Sequence, residues 1–267
     1  MKNHKEWVSQ IFDRAAAEYG EKSSSFFSYF GKRLVEHANI HPGQHILDVA
    51  TGRGAVLFPL AEAVGPSGKV IGIDISQQMI NETSKEVVKK GFFSIELQCM
   101  DAEKLDFHDN YFDCIFCGFA LFFLPSVSSA LCEFKRVLKP GGILAVSTWG
   151  KDSKLDIFKK KELKKYCHTG SLIVTPLWDE KELHRVLEDA KLNNIQIFKE
   201  NKLFLHRSAE EWWNSLWTHA TRAKLEQLST DQLASLRKQV FEKISHLNKG
   251  NGIPEDLEVF YGLAQKT

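Results

Sequence analysis

Charge of one sign is missing from this chain: 35 lysines and arginines against 34 aspartates and glutamates leave a formal net charge of +1 at pH 7. No global field draws a polyanion or an anionic membrane toward it, which disfavours nucleic acid as a partner. Long apolar runs are missing as well. The longest, Cys114 to Leu124, is too short to span a bilayer as a helix. Met1-Lys2-Asn3-His4-Lys5 opens a polar-interrupted helical pattern where a secretory signal needs an apolar stretch. The five cysteines are an odd number without framework spacing, as expected in a reducing compartment. No internal repeat or low-complexity tract is present. These absences predict a cytoplasmic protein without a membrane span. What is present is ordinary globular composition, 43% hydrophobic and 26% charged over 267 residues, enough for one large α/β domain or a domain with a substantial cap.

The chain is organised around residues 46–54, ILDVATGRG. Ile46, Leu47 and Val49 form the continuous apolar run of a strand buried on both faces, and Ala55 to Val64 follows with helical spacing. Between them Gly52 and Gly54 permit backbone conformations and close approaches that a Cβ forbids, so a ligand can lie against the main chain at a helix N-terminus.

Residues 5–39 read as two helices divided at Gly20, the second rich in aromatics. Strands ending at Asp48 and Asp74, a helix capped by Ser76 and running to about Lys90, and strands over 93–99 and 111–117 follow. Ser126 to Leu138 reads as a helix, and Lys139-Pro140-Gly141-Gly142 as a turn into a strand ending at Trp149. This alternation predicts a Rossmann-like α/β fold with a doubly wound, mostly parallel sheet. Beyond Gly150 the rhythm changes: helices over 154–166 and 179–190, a strand near 194–200, an unbroken helical stretch over 208–249, and a closing strand over 257–263. The division expected is a helical lid over 1–40, a ligand-binding core over 41–150, and the rest of the sheet with a helical substrate cap over 151–267.

In an open α/β sheet the ligand sits at the carboxyl ends of the strands. Acids fall there three times, at Asp48, Asp74 and Asp101. Asp74 lies twenty residues after Gly54, a separation that lets a carboxylate accept from both ribose hydroxyls of a nucleoside. Asp101 is suited to the exocyclic amine of an adenine, with Ala102 supplying a backbone donor, and Asp48 to an amino-acid tail.

With LDVATGRG at 47–54, GIDIS at 72–76 followed by Met79, DAEKLDF at 101–107 and LKPGG at 138–142, the chain resembles the class I S-adenosylmethionine-dependent methyltransferases. The likeness covers 44–149 and is nearest the small-molecule branch that includes ubiquinone/menaquinone methyltransferases. It implies a seven-stranded sheet, S-adenosylmethionine as cofactor, and a small-molecule acceptor. It also implies that Asp48, Ala50, Gly52 and Gly54 hold the methionine portion, Asp74 the ribose, and Ile75, Met79, Asp101 and Ala102 the adenine. Gly118 and Phe119 would line the methyl side. Ala50 departs from the family's frequent glycine. FDRAAAEYG at 12–20 resembles the branch's helical lid, whose tyrosine, here Tyr19, approaches the cofactor.

A dinucleotide oxidoreductase shares the Gly-x-Gly turn, but its third glycine is replaced by Leu57, and an acid at Asp48 would repel a pyrophosphate. Cys114 and Cys117 form a C-x-x-C within a strand, where positions three apart face opposite ways, so they read as buried structural thiols. His37, His41 and His45 recur every four residues, but Pro42-Gly43 breaks the helix a metal site would need. Lys159, Lys160, Lys161, Lys164 and Lys165 read as a solvated helix face; as a phosphate-binding face they would favour RNA as the alternative substrate. A nucleoside-binding protein without catalysis is a further alternative. The acceptor pocket is placed between the segment from Phe119 to Phe123 and a cap helix carrying Trp213, Trp217 and His219. His219, seven residues after Trp212 on the same helical face, is the candidate base, on the expectation of near-neutral titration.

Overall fold

Ile46 and Leu47, adjacent on β1 (His45–Val49), bury their side chains in two different hydrophobic clusters, one on each face of a sheet. A strand with parallel neighbours on both sides and helices over both faces needs such an unbroken apolar run. In the computed structural model, which describes residues 2–19, 25–166 and 179–267, β1 lies between β2 (Lys69–Asp74) and β4 (Phe112–Gly118). Beyond them lie β3 (Ile95–Cys99) on one side and β5 (Leu138–Trp149), β7 (Ile253–Gln265) and β6 (Asn193–His206) on the other. The order β3-β2-β1-β4-β5-β7-β6 is parallel except for β7, which runs against both its neighbours. The chain leaves β1 toward β3 and returns to β4 on the opposite side, which opens a crevice at the carboxyl ends of β1 and β4.

Helices α2 (Ser25–Ala38) and α3 (Leu57–Val64) supply one face's core, with Phe30, Leu34, Leu57 and Leu60. The other face is covered by α5 (Val127–Val137) and α7 (Glu180–Asp189), through Leu131, Phe134, Leu183 and Leu187. Cys114 joins the first cluster and Cys117 the second, so the C-x-x-C thiols are free, buried and on opposite faces. Burial pushes the Cys114 thiol up to about 12 and raises that of Cys117 as well. Ser76 caps α4 (Gln77–Lys90) as expected, its Oγ accepting from Met79 N at 3.1 Å.

The N-terminal pattern forms α1 (Lys2–Ala15) and α2, while Gly20 lies outside the described residues. The strand expected from residue 93 starts at Ile95, Phe93 being fully exposed. Larger differences lie after Gly150, where α6 (Lys154–Leu163) begins the cap. The stretch 208–249 is three helices, α8 (Ala209–Ser215), α9 (Arg222–Leu225) and α10 (Thr230–Ser245). Ser215 Oγ donates to Trp212 O at 2.7 Å and Thr218 Oγ1 to Ser215 O at 2.8 Å, hydroxyls competing for helix carbonyls as α8 tightens and ends. A Ser229–Gln232 capping box starts α10. Strands β6 and β7 are also longer than their apolar cores suggest. Their pairing continues to His206↔Ile253, past Trp149↔Val259 where β5 stops. That two-stranded extension carries α8 to α10 beyond the carboxyl end of β5, and the helices bury their own cluster around Trp212, Trp213, Leu236 and Val240. Among the described residues no helix is long and apolar enough to cross a membrane.

Candidate functional site

The turn after β1 is built on left-handed residues: Ala50 at φ 54°, Gly52 at φ 50° and Gly54 at φ 82°. A Cβ on Gly54 would stand 2.5 Å from the Phe58 ring, so this glycine is required both by its φ and by space. Ala50 adopts the same region with a Cβ, at a cost of about 1–2 kcal/mol. Asp48, 1% exposed, accepts from Thr51 Oγ1 at 2.6 Å. Asp74 accepts from Gly52 N and Ser76 N, both at 2.9 Å, and so ties the turn to the end of β2. Burial is the main reason both carboxyls are raised. Asp48 reaches about 7, opposed by the Thr51 bond and helped by the charge of Asp74, and Asp74 reaches about 6, opposed by the backbone amides of Ser76, Gly52 and Ile75.

These residues line a cavity of ≈ 480 Å³. Tyr19, Asp48, Ala50, Gly52, Gly54 and Asp74 are all on its wall, as are Ile75, Met79, Asp101, Ala102, Gly118 and Phe119. Every residue the sequence assigned to the cofactor is therefore brought to one space. Two buried acids there suit a ligand with a cationic group and oppose a pyrophosphate.

Helix α1 closes one side. Ser9 Oγ donates to Ile75 O at 3.1 Å, and Asp13 Oδ1 accepts from Ser76 Oγ at 2.6 Å and Gln78 N at 3.0 Å, a negative charge placed at the N-terminus of α4. Lys5 pairs with Asp101 and Glu103, each at 2.7 Å. Arg14 reaches Glu226 of the cap at 2.8 Å. From the turn, Arg53 donates to Ala16 O at 2.6 Å and to Glu86 at 3.3 Å. Lys5 and Arg53 both line the cavity, and neither carries a motif that would have singled it out.

A second cavity of ≈ 230 Å³ adjoins the first. Phe12, Tyr19, Phe27, Phe119 and Phe123 line both, so only aromatic side chains separate them. Phe119 is itself left-handed at φ 53°, which turns its ring onto Trp149 at 4.2 Å. Such a conformation in a bulky residue is a strain of about 1–3 kcal/mol. Phe123 packs edge-on to Phe12 at 5.3 Å.

On the cap side several expectations change. Trp212 and Leu216 line the cavity, whereas Trp213 and Trp217 do not. Trp213 is 5% exposed in the cap core, with its ring 6.5 Å from Phe241, and Trp217 packs against the same cluster. His219 does reach the cavity, but α8 ends at Ser215, so no continuous helical face joins it to Trp212. Nor is it near-neutral: desolvation, then the charge of Lys159, lowers its pKa to about 3. Lys159 also departs from the solvated-face reading. Its side chain is 16% exposed on the cavity wall, while Lys160, Lys161, Lys164 and Lys165 are exposed. His37 stacks on Phe198 at 4.5 Å, and the described residues hold no cluster of metal-ligating side chains.

The model of the ubiE/COQ5 methyltransferase family matches residues 1–197. Aklanonic acid methyltransferase DauC of Streptomyces sp. (strain C5) is 38% identical over 146 residues, 55% of this chain and 66% of that protein. The ubiquinone/menaquinone biosynthesis C-methyltransferase UbiE of Burkholderia mallei is 40% identical over 117 residues, 44% of this chain and 48% of that protein. The chain thus matches about half to two thirds of the length of these curated relatives. In fold it is similar to the YcgJ protein of Bacillus subtilis, with a TM-score of 0.62, 20% identity, and coverage of 89% of this chain and 98% of the other. With a family match over nearly three quarters of its length and that family's acids and glycines gathered on one cavity, the chain belongs to the ubiE/COQ5 methyltransferase family.

Proposed function

We propose that the protein transfers a methyl group from S-adenosylmethionine to a small, planar, largely apolar acceptor. The observation that carries this reading is the pair of adjoining cavities, one with buried acids and one aromatic, parted only by side chains they share. The names of the relatives, an aklanonic acid methyltransferase and a ubiquinone/menaquinone biosynthesis C-methyltransferase, support a small-molecule acceptor.

The residues of the larger cavity fit the cofactor. Asp48 would face the ammonium of the methionine portion, Asp74 would accept from the ribose hydroxyls, and Asp101 with Ala102 would meet the adenine. When bound, the sulfonium supplies an already activated methyl group. What remains for the protein is to hold the acceptor close, aligned and dry. Residues 1–40 would act as the lid and 151–267 as the cap, with Phe119 and Phe123 between them fixing the plane of an aromatic acceptor. Lysine and carboxylate contacts from α1 would hold the lid against the strand ends.

Calorimetry with S-adenosylhomocysteine, the demethylated product, tests the reading: micromolar binding is expected, and Asp74→Ala should weaken it by at least about tenfold, since charged hydrogen bonds are worth roughly 1.5–3 kcal/mol each. Tight binding of NAD with none of the sulfonium or its product would overturn it. The acceptor is then sought as product release in the presence of phenolic and quinoid compounds.

A further inference from the structure

The smaller cavity is aromatic where it meets the larger one, yet it also has ionic groups on its wall. Lys159 of α6 is a largely sequestered cation there, with a side chain 16% exposed. Its ammonium donates to Asp156 Oδ1 at 2.5 Å, and Asp156 Oδ2 accepts from Ser153 Oγ at 2.9 Å. An ammonium has three donors. Asp156 takes one, and no second acceptor among the described residues lies within hydrogen-bonding distance.

Two other charged groups on that wall are already committed. Lys160 is 54% exposed at its side chain and gives two bonds to Asp152, at 2.6 and 2.7 Å. Glu255, 7% exposed, meets His206 at 2.7 Å and Ser153 at 3.4 Å. Nor does α6 need a buried cation to form, because Ser153 Oγ caps it by accepting from Asp156 N at 3.0 Å. Sequestering an ammonium beside aromatic walls costs free energy that a leucine or methionine would not incur. Aromatic walls alone, moreover, bury a ring without orienting it.

We propose that Lys159 is the recognition point for an acidic oxygen of the acceptor, so that the cavity takes a planar aromatic molecule bearing a carboxylate, phenolate or enolate. The ring lies against Phe119, Phe123 and Trp212, and the anionic oxygen takes the free donors of the ammonium. This deepens the methyl-transfer reading and rests on it. Lys159 is a specificity-determining residue, and its role is read in binding.

The probes are 2-naphthoate and its methyl ester, which share a ring system and differ in the charged oxygen. Binding to the full chain, saturated with S-adenosylhomocysteine, is followed by quenching of tryptophan fluorescence, since Trp149 and Trp212 line the cavity. The wild-type protein should prefer the acid by about tenfold or more, Lys159→Met and the milder Lys159→Gln should abolish that preference with ester affinity kept within about threefold, and Lys159→Arg should retain it. Unchanged affinity for S-adenosylhomocysteine reports that each variant is folded. No preference in the wild-type protein, parallel loss of acid and ester in the neutral variants, or failure of both probes to bind would each overturn the proposal. The product's own calorimetric affinity tests the methyl-transfer reading separately, so either can fail alone.

Discussion

Lys5 Nζ stands 2.7 Å from Asp101 Oδ2 and 2.7 Å from Glu103 Oε2, joining an early residue of α1 to the segment that follows β3. The Asp101 carboxylate also accepts from Glu103 N at 2.9 Å. A carboxylate has about four acceptor positions, which leaves room for an adenine amine beside the lysine. Ligand and lid would then share one acid.

Lys5→Met should loosen α1 without unfolding the protein. The pair is partly exposed, with side chains 25% and 35% accessible, so its worth is at most about 1 kcal/mol. Amide exchange over residues 4–15 should accelerate by up to about fivefold in the ligand-free state and less with S-adenosylhomocysteine bound. Unchanged exchange would show that the contacts of Ser9 and Asp13 hold the helix unaided.

Asp48 and Asp74 reverse the usual acid behaviour of carboxylates. Both are raised above the unfolded value of 3.8, to about 7 and about 6, chiefly by burial. The folded protein therefore binds more protons than the unfolded chain between roughly pH 4 and 7, and their contribution to stability falls as pH rises through that window. Asp48→Asn should raise the melting temperature at pH 7.5 and change it little at pH 4. A ligand with an ammonium group prefers the ionised acids, so wild-type affinity for S-adenosylhomocysteine should weaken by about tenfold or more from pH 7.5 to 5.5. A pH-independent affinity in the wild-type protein would mean that neither acid meets the ammonium.

The strand-end acids and the glycine turn were legible because each follows directly on an apolar run whose length fixes where the strand stops. Ser76 was legible for the same local reason, a capping hydroxyl just before a helical pattern. The cap was not. Whether Trp212 or Trp213 faces the acceptor depends on how α8 sits against α10, and one residue of rotation exchanges the wall for the core. Lys159 looked like its exposed neighbours because a lysine run has no internal mark of which member a tertiary contact will cover. The full lengths of β6 and β7 were hidden similarly, since their outer halves pair only with each other.

Trp213→Ala tests that correction. Truncating a buried tryptophan leaves a cavity in the cap cluster, and chemical unfolding should show a loss of about 3–5 kcal/mol. The folded fraction should retain KM for the acceptor within about twofold, because the side chain does not line the pocket. A raised KM at unchanged stability would return Trp213 to the acceptor wall.

His219 decides whether the protein supplies a base of its own. It lines the smaller cavity, but desolvation and the neighbouring Lys159 lower its pKa to about 3, so it is neutral across the physiological range and a weak proton acceptor. General-base efficiency is greatest when the pKa lies near the working pH, and loss of such a base costs about 10²–10⁴-fold. Where the anionic oxygen held by Lys159 is itself the atom methylated, it has no proton to give up, and no base is needed for that step. His219→Ala should therefore lower kcat by less than about tenfold at saturating cofactor and leave the pH–rate profile without a lost limb near 6.5. A fall of a hundredfold or more, together with disappearance of a near-neutral limb, would restore His219 as the base and require that the ring be resolvated when the acceptor binds.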